Sequence, residues 1–181
     1  MQDKEVFVIF GPTASGKSDL AKQIATKLES PIINFDSLQV YQQLRILSSR
    51  PSSQDERLID HRLYGIIDGN ENCTVAKWLK LAKIEVETCW KEKRIPILVG
   101  GTGLYLKGLM QGISYIPDVS DSTIKNTDDS FVKNGANYLY KVLLEHNKNT
   151  KIKETDTQRL KRSYSLLMET GHSLEEWQVK P

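Results

Sequence analysis

Apolar residues in this chain gather into three short, nearly continuous runs and several longer stretches with three-to-four-residue spacing. The runs are Val6-Phe7-Val8-Ile9-Phe10, Ile32-Ile33-Asn34-Phe35 and Ile95-Pro96-Ile97-Leu98-Val99. Rich in β-branched and aromatic side chains, they predict strands buried on both faces, as in a parallel sheet. After the first run, Leu20, Ala21, Ile24, Ala25 and Leu28 fall on one helical face. Thr74 is placed to cap a long helix whose core stripe is Val75, Trp78, Leu79, Ala82, Val86, Cys89 and Trp90. Leu104 to Met110 reads as another helix. Strand and helix therefore alternate, and the expected fold class is α/β with a parallel sheet.

Two regions depart from that alternation. Residues 38–62 are polar and irregular, with Arg45, Arg50, Pro51 and Arg57, and read as a surface loop of the kind that also contacts substrates. The segment Leu63 to Asp68 is a possible short strand, and the preceding His61, without metal-ligating companions, reads as structural. From Gly112 onward the alternation stops. Ile113 to Asp129 reads as a linker or a ragged entry to a different subdomain, followed by helices around Phe131–His146 and Asp156–Thr170. The second carries Leu160, Tyr164, Leu167 and Met168 on one side, with Gly171 as its stop, and Ser173-Leu174-Glu175-Glu176 has capping-box spacing. The expected division is a core over residues 1–112 and a helical appendage over 113–181.

Composition adds limits rather than identity. The 181 residues are 39% hydrophobic and 27% charged, with a formal charge of +2, which does not by itself indicate nucleic-acid binding. The distribution matters more: six Lys/Arg between Lys148 and Arg162 stand against Glu154 and Asp156. Gln158, Arg159, Lys161 and Arg162 open one helix, where they read either as a contact to a phosphate backbone or as a solvated face. Cys73 and Cys89 form no CxxC motif and read as reduced core thiols, not a disulfide. With neither a signal peptide nor an apolar run long enough to span a bilayer, a cytoplasmic protein without membrane contact is expected.

The chemistry centres on Gly11-Pro12-Thr13-Ala14-Ser15-Gly16-Lys17-Ser18. Strand, glycine loop and helix follow one another here, the context that supports a P-loop. Gly11 and Gly16 allow the backbone N–H groups to turn around an anion, and the following helix adds the positive end of its dipole. Lys17 supplies a charge for the outer phosphate, and the Ser18 hydroxyl is placed to ligate Mg²⁺. A Gly-rich turn with no ligand is the bland alternative. At the carboxyl ends of parallel strands, where ligands bind in open sheets, stand Asp36 and the run Gly100-Gly101-Thr102-Gly103. Asp36 is either a reactive carboxylate or the cap of a turn starting at Ser37. The glycine run either lets a ligand approach, with the Thr102 hydroxyl pointing into the crevice, or is a plain tight turn.

Four groups of residues, taken together, go beyond a generic P-loop. Residues 11–18, Asp36-Ser37-Leu38-Gln39-Val40-Tyr41, Pro96 to Tyr105 and Asp156-Thr157-Gln158-Arg159-Leu160-Lys161-Arg162, with Gly171 to Gln178 behind them, resemble the tRNA dimethylallyltransferase family in order and spacing. The resemblance implies a P-loop NTPase-like core with a small helical insertion. It also implies transfer of a dimethylallyl group from dimethylallyl diphosphate to N6 of the adenosine 3′ of the anticodon, in tRNAs reading codons that begin with U. By that resemblance Gly11 to Ser18 hold the diphosphate, with nucleotide or ATP binding as the usual attribute of such a loop, and Mg²⁺ sits at Ser18. Lys17, Asp36 and Thr102 act in catalysis, with Asp36 as the base. Asp36, Ser37, Leu38, Gln39, Thr102, Gln158, Arg159, Leu160, Lys161 and Arg162 contact the tRNA anticodon stem-loop, and a monomer is expected. Where the family carries a Gly-Met-Asp-Ile-Gly-Thr-Ala-Lys-Pro-like run, this chain has Leu44-Arg45-Ile46-Leu47-Ser48-Ser49-Arg50-Pro51, in which Arg50 keeps the basic charge. An arginine expected early in the insertion aligns with Ile124, beside Lys125. The resemblance covers the N-terminal part of the family pattern. The alternatives are a P-loop small-molecule or nucleotide kinase and an inactive RNA-binding remnant.

Overall fold

A computed structural model of the chain describes residues 4–179. The fold divides into two compact units, with the boundary after Gly112. In the first unit β1 (Phe7–Phe10), β2 (Ile32–Asn34), β3 (His61–Arg62) and β4 (Ile97–Gly100) form one parallel sheet in the order β1-β4-β2-β3. Ile97 of β4 sits opposite Phe7 of β1 on one side and Ile32 of β2 on the other. Helices α1 (Lys17–Leu28), α3 (Val75–Lys91) and α4 (Gly103–Gln111) complete the layers. Ile32, Ile97 and Val99 pack with Ala21 and Ala25 of α1, whereas Ile33 and Leu98 pack with Trp78, Ala82, Val86 and Cys89 of α3 and Tyr105 of α4. Successive residues of an inner strand thus enter different cores, which is why the run reads as continuously apolar. Trp78 stacks on Tyr105 at 4.4 Å between ring centroids.

The expectation of strands buried on both faces holds for β2 and β4 and fails for β1. At the edge of the sheet, Phe7, Val8 and Phe10 are 45%, 43% and 56% exposed. For the same reason only Ala21 and Ala25 of the α1 stripe are buried, while Leu20 and Leu28 remain exposed.

Residues 38–62 are not one loop. A 3-10 turn at Gln42–Leu44 precedes the short helix α2 (Ser53–Leu58). The Ser52 hydroxyl accepts from the Asp55 N–H at 3.1 Å, and the Asp55 carboxylate accepts from the Ser52 N–H at 3.1 Å. Asp in place of the usual Glu or Gln hid that capping box. Strand β3 also falls earlier than residues 63–68, because Leu63 adopts a φ of 62° and ends it. Ile67 keeps only an isolated bridge to Tyr41. Thr74 caps α3 as its position predicts, accepting from the Lys77 N–H at 3.2 Å. Both cysteines are free thiols.

The second unit is helical: α5 (Asp121–His146), α6 (Thr157–Thr170) and α7 (Leu174–Val179). Helix α5 starts ten residues before the expected boundary, capped by Ser120, and contains a break at Gly135 with φ 78°. Its polar first half carries almost no apolar period, yet Thr127 is buried there and accepts a hydrogen bond from the Ser165 hydroxyl at 2.9 Å. Leu139, Leu143, Leu160, Tyr164 and Leu167 form the core. Met168, expected with them, is 49% exposed. Asp156 caps α6, Gly171 ends it at φ 71°, and Ser173 with Glu176 closes the predicted box ahead of α7.

Candidate active site

Gly11 to Ser18 connect β1 to α1 as the pattern requires. Ala14 and Gly16 adopt left-handed φ values of 62° and 80°, a geometry that aims neighbouring N–H groups into one concavity. Holding a non-glycine there costs on the order of 1–3 kcal/mol, a strain characteristic of functional loops. Gly16 is the N-cap of α1 and no side chain caps that helix end, so its first amides face the loop's concavity as anion donors. Lys17 Nζ donates to the Pro12 carbonyl at 2.5 Å, which folds the ammonium back over the loop.

Asp36 emerges directly after β2, and its backbone is fixed from behind by a residue that sequence reasoning passed over. Asn34 is fully buried; its Oδ1 accepts from the Asp36 N–H at 2.8 Å, and its Nδ2 donates to the Asp36 carbonyl and the Leu63 carbonyl, both at 3.1 Å. The Trp78 indole N–H donates to the Asn34 carbonyl at 3.0 Å. An Asn inside an otherwise apolar strand was the available signal, since a buried amide needs partners. One carboxylate oxygen, Oδ1, accepts from the Leu38 N–H at 2.9 Å. Gly100 is required on steric grounds: a Cβ there would lie 2.5 Å from the Phe35 carbonyl carbon and 2.8 Å from the Asp36 nitrogen. At Gly101 a Cβ would lie 3.2 Å from the Gly11 carbonyl oxygen and 3.8 Å from Asp36 Oδ2. The glycine pair is therefore the contact between the P-loop and the Asp36 turn.

The Thr102 hydroxyl, expected to project into the crevice, accepts instead from the Ser37 N–H at 2.9 Å and donates to the Ser37 hydroxyl at 3.2 Å. It fastens the start of α4 to the Asp36-Ser37 turn. Gln39 donates through Nε2 to the Ser48 carbonyl at 2.8 Å, and Leu38 is 57% exposed. Thr13, Ala14, Lys17 and Ser18 line one cleft with Asp36, Gln39, Ser48, Val99 and Gly100. Ser48 was not foreseen, because nothing in its polar surroundings marks it. Arg50 turns inward, its guanidinium reaching the Tyr41 and Gln42 carbonyls at 3.3 and 3.4 Å and Glu56 at 3.4 Å. Burial, then the Asp36 charge, pushes the Tyr64 phenol above its ordinary value.

The Ser18 hydroxyl lines the cleft, and a single protein oxygen suits Mg²⁺, which usually takes one or two and completes its shell with substrate phosphates and water. Among the described residues no group of three His, Cys, Asp or Glu is positioned to hold a metal ion. The site thus fits a metal that arrives with its phosphate ligand.

In the second unit Gln158, Arg159 and Arg162 are exposed on α6. Arg159 lies 3.5 Å from Asp156, and Arg162 donates to the Pro117 carbonyl at 3.4 Å. Lys161 is more firmly held, 2.8 Å from Asp128 and 4.3 Å from the Phe131 ring centroid. Leu160 is fully buried in the helical core. The expectation that its side chain touches RNA gives way to packing against Leu139, Leu143, Tyr164 and Leu167.

A model of the IPP transferase family matches residues 39–181. The tRNA dimethylallyltransferase of Rhodospirillum rubrum is 42% identical over 97% of this chain and 55% of its own length. That of Pelagibacter ubique is 41% identical over 99% of this chain and 58% of its own length. Among solved structures, a eukaryotic dimethylallyltransferase acting on tRNA superposes with a TM-score of 0.75 at 27% identity, over 96% of this chain and 44% of that one. The full-length tRNA isopentenylpyrophosphate transferase of Bacillus halodurans gives 0.60 at 26% identity, over 95% and 57%. The chain spans a little over half the length of the curated relatives it matches. On the extent of the family match and the identity to these relatives, it belongs to the IPP transferase family.

Proposed function

We propose that this chain carries the donor-binding and acceptor-activating part of a tRNA dimethylallyltransferase. The reaction is transfer of a dimethylallyl group from dimethylallyl diphosphate to N6 of the adenosine 3′ of the anticodon, in tRNAs reading codons that begin with U. The observation that carries this reading is the sharing of one cleft by the Asp36 carboxylate, Lys17 and Ser18. A carboxylate beside the phosphates also serves P-loop kinases; membership of the IPP transferase family favours transfer to tRNA. An allylic diphosphate leaves as an anion, and the loop amides and Lys17 stabilise that charge where it develops. Mg²⁺, when bound at Ser18, supplies further neutralisation of the departing diphosphate. The attacking exocyclic amine is weakly nucleophilic and loses a proton, which Asp36 accepts. For that base to be reached, the adenosine leaves its stack in the anticodon loop. Gln39 and the Ser37-Leu38 turn face the acceptor. Gln158, Arg159 and Arg162 of the helical unit contact the phosphates of the anticodon stem-loop, in a monomer acting in the cytoplasm.

The test is incubation with unmodified tRNA, Mg²⁺ and labelled dimethylallyl diphosphate, beside calorimetric titration of the diphosphate donor. Wild type labels tRNA. Asp36→Asn retains donor binding and loses transfer by about 100-fold or more, within the usual contribution of a positioned base. Equal labelling by both proteins removes Asp36 from the chemistry. Donor and tRNA binding without labelling by wild type reduces the chain to a binding unit, and phosphate transfer from ATP to a small acceptor replaces the reading with a kinase.

A further inference from the structure

Helix α2 raises a question of attachment. Its six residues are too few to form a stable helix by propensity. None of them is buried, so apolar packing does not hold it in place either. Beyond its own capping box, its polar links to the rest of the first unit run through Ser53, Asp55 and Glu56. Asp55 lies 3.2 Å from Lys22, which stands one turn beyond Ser18 on α1. Glu56 takes two arginines, one on each carboxylate oxygen, with Arg45 at 2.6 Å and Arg50 at 3.4 Å.

Both arginines belong to the segment that forms one wall of the cleft. Gln39 and Ser48 line that cleft, and the Gln39 amide donates to the Ser48 carbonyl at 2.8 Å. Arg50 holds the same segment from behind. Its side chain is only 7% exposed, and it donates to the Tyr41 and Gln42 carbonyls, just after Gln39, at 3.3 and 3.4 Å. The guanidinium has room there because residue 65 is a glycine with φ 56°, and a Cβ at that position would fall on it. The Gly65 N–H in turn donates to the Gln39 carbonyl at 2.9 Å. Arg50 and Gly65, packed on one another, thus fix the backbone around Gln39 from two directions.

We propose that Glu56 is a positioning residue for the acceptor. Through Arg50, and through Arg45 beside it, Glu56 fixes the backbone that presents Gln39 to the cleft, while Asp55 on the same short helix ties that wall to the P-loop helix. The inference rests on the reading of this cleft as the place where a tRNA base meets the allylic donor. An exposed ion pair would carry little weight. Here one partner is buried, and a planar fork that spans two carbonyls and a carboxylate sets direction as well as distance.

The test measures two affinities on the same proteins: dimethylallyl diphosphate with Mg²⁺ by calorimetry, and unmodified tRNA by filter retention at fixed salt. Glu56→Gln should weaken tRNA binding by about tenfold, the scale of losing the pre-ordering of a few contact residues, and leave donor affinity within about twofold. The sign is diagnostic, because removing a negative charge by itself tightens binding to RNA. Arg50→Lys keeps the charge but replaces the fork with a point donor that cannot hold the Tyr41 carbonyl and Glu56 together. It should give the same split, and it serves where Glu56→Gln does not fold. Unchanged or tighter tRNA binding in both variants overturns the proposal. So does a parallel loss of both affinities with a lowered melting temperature, which makes Glu56 a structural residue only. Wild type that binds the donor and no tRNA removes the functional reading, and this inference with it.

Discussion

The two units present their candidate functional groups by opposite means. In the first, Asp36 and the P-loop sit at the ends of strands and are located by backbone contacts: Asn34 holding both sides of Asp36, Gly100 admitting main chain where any Cβ would collide, and Gly101 lying close against the Gly11 carbonyl. In the second, Arg159 and Arg162 stand on the outer face of α6, whose position is set by Leu160, Tyr164 and Leu167 on the inner face. The first arrangement gives precise geometry and little tolerance. The second gives charge with latitude, which suits a phosphate backbone better than a reacting atom.

The sharpest break in this contrast comes from Gly100. Gly100→Ala should destabilise the first unit by about 3 kcal/mol or more through overpacking, read as a drop in the urea midpoint, whereas Arg159→Ala should leave it where it is. Next in size, Lys17→Ala removes a charge-assisted contact and should weaken calorimetric binding of the diphosphate donor by about 10- to 100-fold, the range of hydrogen bonds to charged groups. Arg159→Ala and Arg162→Ala should weaken tRNA binding in filter retention without changing sequence preference, each lowering the salt slope by about 1. An unaltered slope in both variants would place the RNA contact elsewhere.

The smallest effect concerns pH. The Ser173 N–H and hydroxyl, followed by His146, hold the Glu176 carboxyl down from 4.5 to about 2. A carboxyl lowered in the folded state stabilises above its unfolded value, and that contribution disappears as pH falls from about 4.5 toward 2. Glu176→Gln should therefore lower the melting temperature of the second unit modestly at neutral pH and flatten the acid side of its profile, the two proteins converging as pH falls.

What the sequence made legible was whatever a few neighbouring residues decide. The P-loop, the Thr74 cap, the Gly171 stop and the Ser173 box each depend on contacts within eight residues or fewer, and each stands where its pattern puts it. The rest depended on distant partners. Whether Phe7 is buried depends on how many strands lie beyond β1, and whether Arg50 faces solvent depends on Glu56 and the Tyr41 carbonyl. Leu160 illustrates the same limit on a helix: adjacent to Arg159 in sequence, it points into the core and the arginine points out. The Thr102 hydroxyl follows the same rule, since the N–H that claims it belongs to a turn 65 residues away.

The bond from Lys17 to the Pro12 carbonyl sets a valence as well as a position. An ammonium has three protons to give, and one of them is committed inside the loop. Two remain for an anion in the loop, unless the bond to Pro12 is given up when one binds.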